Sequence, residues 1–195
     1  MINRAQKAQN VTVVGFIANF ILSSAKLVAG IIGNSAAMVA DGVHSISDFI
    51  TDIIVIGFVR VADKPCDNDH KFGHGKYETF ATLLISVALF IVGAGLCYNG
   101  IKNIINAING TLIEQPSIIA LVAAIVSIIV KEILYRYTLK VGKNINSQAI
   151  IANAWHHRSD AFSSIGTTLG ISGAIFLGQN WRVLDPIAGV IVSFF

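Results

Sequence analysis

Apolar runs of about 18 residues or more alternate with short polar segments along the whole chain. Read as helices, they predict spans at roughly 11–33, 36–61, 79–103, 117–139, 148–178 and 183–195. The polar segment ADKPCDNDHKFGHGKYE follows the second span, and NGTLIEQPS follows the third, with Gly110 and Pro116 as punctuation. KVGKNINSQ leads to the fifth span and GQNWRVLDP to the sixth. The first run continues past Lys26 to Gly33, too long for a signal peptide, so it reads as a helix that stays in place. The sixth has only about ten residues after Pro186, too few to cross ~30 Å of hydrocarbon at 1.5 Å each. Residues 1–195 are thus expected to form one all-α transmembrane domain, a six-helix bundle whose last helix is cut short.

Composition agrees with a membrane setting. The chain is 54% hydrophobic and 13% charged, with a mean hydropathy of +0.68, whereas soluble domains carry about 25% charged residues. The net charge of +3 comes mainly from residues between spans, so no nucleic-acid partner is implied. With six spans, Arg4, Lys7, Arg60, Lys64, Lys71, Lys76, Arg136, Lys140 and Lys143 fall on one side, and Lys102 and Arg182 on the other. This bias places the N-terminus and the 62–78 and 140–147 segments in the cytoplasm. Cys66 and Cys97 show no pairing or metal-binding pattern.

The chemistry lies in charges where hydrocarbon makes charge expensive. Span 2 carries Asp41, His44, Asp48 and Asp52, spaced 3, 4 and 4 apart and therefore on one helical stripe. Span 5 carries His156 and Asp160, four apart on one face. One reading is that these groups bond one another and hold the bundle together, with Asp41 and Asp52 as charge partners of Lys26 or Arg158. The other is that two helices, each offering a His/Asp pair, build a site. Two imidazoles and two carboxylates complete a tetrahedral shell for Zn²⁺. Imidazole favours Zn²⁺, Co²⁺ and Fe²⁺ over Mg²⁺ and Ca²⁺, and its titration near neutrality lets metal loading release protons. His157 stands about 100° from the His156/Asp160 face and reads as a packing or interfacial residue. Asn19 and Lys26 could line a polar interior, and Gly15, Gly166, Gly170 and Gly173 suit close helix packing. Asp63, Asp67, Asp69, His70 and His74 form a second cluster between spans 2 and 3, either a solvated loop or a weak metal site at the cytoplasmic mouth.

SAAMVADGVHSISDFITD resembles the second helix of the cation diffusion facilitator family, FGHGKYE the opening of its third, WHHRSDAFSS its fifth and DPIAGVIVS its sixth. The four motifs run in order from residue 35 to residue 193. The resemblance implies a transport site of His44, Asp48, His156 and Asp160, separating His44 and Asp48 from Asp41 and Asp52. It implies the zinc or zinc/cadmium branches, since manganese members tend toward carboxylates; iron, cobalt and nickel stay open. Asp67 and His74, with His70 and Asp69 near, match a further zinc site of some bacterial relatives. Lys76 matches a charged residue that helps hold two subunits together. The family further implies a homodimer in a bacterial inner membrane, with metal leaving the cytoplasm in antiport against protons. It implies a cytoplasmic C-terminal domain of ferredoxin-like shape after this chain, and neither an enzyme activity nor an organic cofactor. A channel and a non-transporting structural or sensing membrane protein are the rival readings.

Overall fold

The computed structural model describes residues 4–62, 76–111 and 113–194, with the side chains of 4, 5, 52, 54–62, 78 and 81 outside that description. Six α-helices follow one another: α1 (Arg4–Ile32), α2 (Ala36–Ala62), α3 (Lys76–Ile108), α4 (Ile118–Asn144), α5 (Gln148–Phe176) and α6 (Leu184–Val192), the last preceded by a 3₁₀ turn at Gln179–Trp181. No strand occurs among the described residues. α1 and α3 run longer than their apolar cores, because RAQKAQN and the residues flanking the third run continue helically into polar sequence. Among the described residues, three helices are long and apolar enough to cross a membrane: Gln6–Ile32, Thr82–Ile108 and Ile118–Asn144. α2 and α5 are long enough at 27 and 29 residues but carry the polar stripes, and α6 has only 9 residues. The six expected spans are therefore six helices, of which α2 and α5 carry ionisable stripes that meet in the interior.

Short turns make sequential helices antiparallel. After α1, Asn34 takes a positive φ of 48° while the Ser35 N–H returns to the Gly30 carbonyl at 3.0 Å, closing the helix end in one turn. Ser35 then caps α2, its Oγ accepting from the Met38 N–H at 3.1 Å. Asp185 of α6 clamps the same corner: Oδ1 accepts from the Ser35 hydroxyl and Oδ2 from the Ala36 N–H, both at 2.6 Å. The Ser117 N–H, at the start of α4, donates to the Gly33 carbonyl at 2.8 Å.

Small residues let the helices approach closely. Ala37, Met38, Ala120, Leu121, Ala124, Ile171 and Ala188 form a buried cluster joining α2, α4, α5 and α6. A Cβ on Gly42 would meet the Leu27 backbone nitrogen of α1 at 2.9 Å, so only glycine fits that crossing. Gly170 and Gly173 likewise face Ala188 and Leu184, and Gly15 faces the His157 ring; Gly166, expected to pack in the same way, has open space beside it. Large apolar side chains such as Phe90 and Ile91 of α3 and Ile21 of α1 remain exposed on the outside, where hydrocarbon would cover them.

Candidate metal centre

Two polar layers cross the bundle interior, set by residues four apart on antiparallel neighbours. On α4, Ser127 and Lys131 are one turn apart; on α5, Ser164 and Asp160 are one turn apart in the opposite sense. The helices thus meet as Ser127–Ser164 (3.1 Å) and Lys131–Asp160 (2.5 Å).

The first layer is a closed ion pair. Lys26 Nζ of α1 lies 2.8 Å from Asp41 Oδ2 of α2, each side chain 1% exposed. The ammonium also donates to Ser45 Oγ at 3.2 Å and Ser164 Oγ at 3.0 Å. The Ser164 hydroxyl reaches the same Asp41 Oδ2 at 3.0 Å, and that of Ser163 reaches Asp41 Oδ1 at 3.5 Å. With its oxygens engaged in this way, Asp41 has little capacity left for an ion.

The second layer is less complete. One ligand atom each from His44, Asp48 and Asp160 lie within 4.8 Å of one another, at the α2–α5 crossing. His44 Nε2 and Asp48 Oδ2 are 3.5 Å apart. Two donors about 2.0–2.2 Å from an ion in tetrahedral geometry stand roughly 3.3–3.6 Å apart, so this pair has the spacing a metal requires and the wider triad needs to contract by about 1 Å. His156 stands outside the triad: its Nδ1 is 3.9 Å from Asp160 Oδ1 and its side chain is 47% exposed. A cavity of about 180 Å³ reaches this layer from the end of the bundle marked by Thr12, Asn153 and His156, and Asp48 and Asp160 lie in its wall.

The remaining sequence candidates fall elsewhere. Arg158 donates to Tyr135 Oη at 3.1 Å and stacks over the Tyr135 and Trp155 rings at 4.8 and 5.3 Å; of the two acids expected as charge partners, Asp41 is held by Lys26. Arg158 sits one turn beyond the Lys131 layer, where α4 and α5 present aromatics rather than carboxylates. Lys76 is exposed at the start of α3, and the Asp52 side chain lies outside the described residues, as do Asp67, Asp69, His70 and His74. His157 is buried, as a packing residue would be, yet neither ring nitrogen has a partner among the described residues.

Lys131 is the residue that sequence reasoning passed over. It lies 3% exposed, bonded to Asp160 and, at 2.9 Å, to Asn19 Oδ1 of α1. The signal was present: of the 14 Lys and Arg residues, eleven lie in or near the polar segments, leaving Lys26, Lys131 and Arg158 inside spans. An intramembrane lysine needs a named partner just as an aspartate does.

Six helices with apolar outer faces and ionisable side chains converging in the interior are the pattern of a polytopic membrane protein. The family model for the cation efflux transmembrane domain matches residues 12–195. The chain is 39% identical over 195 residues to the manganese efflux system protein MneP of Bacillus subtilis, covering 98% of this chain and 64% of that protein. It is 36% identical over 200 residues to metal tolerance protein C1 of Arabidopsis thaliana, covering 96% of this chain and 42% of that protein. It is 35% identical over 178 residues to the magnetosome protein MamB of Paramagnetospirillum magneticum, covering 91% and 58%. The chain belongs to the cation diffusion facilitator family. It spans less than two thirds of the length of these relatives.

Proposed function

We propose that this chain is the membrane part of a divalent-cation exporter that binds its ion between α2 and α5 and exchanges it for protons. The convergence of His44, Asp48 and Asp160 within 4.8 Å inside a membrane bundle carries the reading. His156 is the fourth ligand, turning in from its half-exposed position as the ion arrives. The ion comes through the cavity beside Thr12 and Asn153. By the distribution of basic residues that end faces the cytoplasm. The carboxylates supply charge neutralisation, and the imidazoles trade metal for protons. Export proceeds by relative movement of helices around a fixed site, in a homodimer of the bacterial inner membrane. A ferredoxin-like cytoplasmic domain follows the membrane part, and the Asp67, His74, His70 and Asp69 cluster is a second, exposed ion site near Lys76 at the subunit boundary.

For the ion, two imidazoles with two carboxylates favour Zn²⁺. A second reading is Mn²⁺: a relative of 39% identity is named for manganese efflux, and one imidazole with two carboxylates is the set already drawn together. The deciding experiment is flux of each metal into proteoliposomes under an imposed pH gradient, with wild-type protein and a folded Asp160→Ala variant. Saturable flux that follows the gradient and vanishes in the variant supports the site; equal flux in both moves the pathway elsewhere. The ratio of kcat/KM for Zn²⁺ and Mn²⁺ in wild type selects the ion. Flux at channel rates, or Asp160→Ala and His156→Ala variants that only misfold, would favour the rivals.

A further inference from the structure

Lys131 and Lys26 are both buried ammonium groups, yet their surroundings differ in one respect. Lys26 is held by Asp41, Ser45 and Ser164, none of which belongs to the ligand triad. Lys131 is held by Asp160, which does belong to it, and by Asn19, which does not. The same carboxylate that a divalent ion needs is therefore already bonded to a cation covalently tied to α4.

We propose that Lys131 is a tethered competitor for the transported ion: it occupies Asp160 when the site is empty and withdraws to Asn19 when metal binds. This deepens the transport-site reading above and rests on it. Three observations support it. The ammonium is 2.5 Å from Asp160 Oδ2, so an ion drawn onto this carboxylate meets a like charge within a few ångströms in a poorly screened interior. Asn19 Oδ1 at 2.9 Å offers a neutral acceptor on another helix, so the ammonium is not stranded on leaving. Lys131, Asn19 and Asp160 share the walls of the 180 Å³ cavity, which gives the ammonium room to move.

The consequence is a cap on affinity. If the binding-competent arrangement is a fraction f of the population, the apparent dissociation constant rises by 1/f. A competitor seated about nine-tenths of the time raises it roughly tenfold. An exporter gains from this, because an ion held by a full shell with nothing to displace it leaves slowly. The charge count agrees. Asp48 and Asp160 offer two negative charges, and with Lys131 seated the net is −1, an incomplete match for a divalent ion.

The test uses the full chain in nanodiscs with Co²⁺, read by its d–d absorption, and with Zn²⁺ by calorimetry. Lys131→Met is expected to tighten binding by about tenfold or more. In proteoliposomes KM should fall with it while the maximal rate also falls, since release becomes limiting; a merely structural lysine would not produce that split. A folded Lys131→Met protein with unchanged or weaker binding overturns the proposal. A parallel Asp160→Asn variant separates the two ideas. If it loses Co²⁺ while Lys131→Met changes nothing, the site stands and the competitor fails; if neither variant changes binding, the site itself is elsewhere. Because Lys131→Met leaves a buried carboxylate that can impair folding, the wild-type protein gives a second check. A metal-bound structure should show the Lys131 ammonium on Asn19 and out of bonding distance of Asp160. Metal on Asp160 with the ammonium still bonded there overturns the proposal.

Discussion

Neutralising one member of the Lys26–Asp41 pair should cost far more than neutralising both. Each side chain is 1% exposed and the charged atoms are 2.8 Å apart, so solvent screening does little to reduce the effect. Asp41→Asn leaves the Lys26 ammonium bonded only to Ser45, Ser164 and an amide, with its directly paired anion gone. Breaking a buried pair from one side typically costs about 3–5 kcal/mol, whereas replacing both charges is often close to neutral. Lys26→Met should cost a similar amount, because Asp41 then keeps only hydroxyl partners. The double variant should lie within about 2 kcal/mol of wild type, giving a coupling of at least about 4 kcal/mol. Equilibrium unfolding in mixed micelles, with the four proteins in one detergent, measures the cycle. Because Asp41 lies outside the ligand triad, the double variant should also keep Co²⁺ affinity within roughly threefold of wild type, a free-energy change below about 1 kcal/mol. Additive single effects, or a double variant no better than either single one, would refute the reasoning.

Three further outcomes follow from particular contacts. Gly42→Ala should destabilise by about 1–3 kcal/mol because its Cβ would overlap the α1 backbone at Leu27, while Gly166→Ala, with nothing within 4 Å, should be tolerated in the same unfolding assay. His157→Leu should fall within about 1 kcal/mol of wild type or stabilise, since both nitrogens of this buried ring lack partners among the described residues; a large loss would mean that ordered water satisfies them. Metal affinity should weaken by at least about tenfold from pH 7.5 to 5.5, because protons compete with the metal for the ligand lone pairs, and titration calorimetry at fixed ionic strength measures it.

The paired spacing of His44 with Asp48 and of His156 with Asp160 was legible from sequence because a helix turns a four-residue interval into a shared face. The same rule cannot say how far a second helix is rotated, so the exposure of His156 needed coordinates. Arg158 shows a related limit. Its position inside a span demands a partner, and among the described residues it meets a tyrosine hydroxyl and two aromatic faces from neighbouring turns, contacts that charge alone does not suggest. Lys131 was visible as a charge within a span, yet its partners are 112 residues earlier and 29 later, on α1 and α5, and only packing brings them together. The depth of each helix was only partly readable: the apolar run of α3 marked an outer helix, but the equally apolar run of α4 lies deeper and turns Lys131 inward.

The corner at Ser35 acts as a pivot. There α1 ends, α2 begins, α6 contributes Asp185 and α4 is fastened through Ser117, so four helices share one set of short hydrogen bonds. Helices fastened together at one end separate most at the other, as the arms of a pair of tongs do. At that other end Val11 of α1 stays packed against Ile145 and Ile150, so any parting falls on α2 relative to α5, the pair that carries the ligand triad. A small rotation there would move Asp160 relative to His44 by a lever arm of several helical turns.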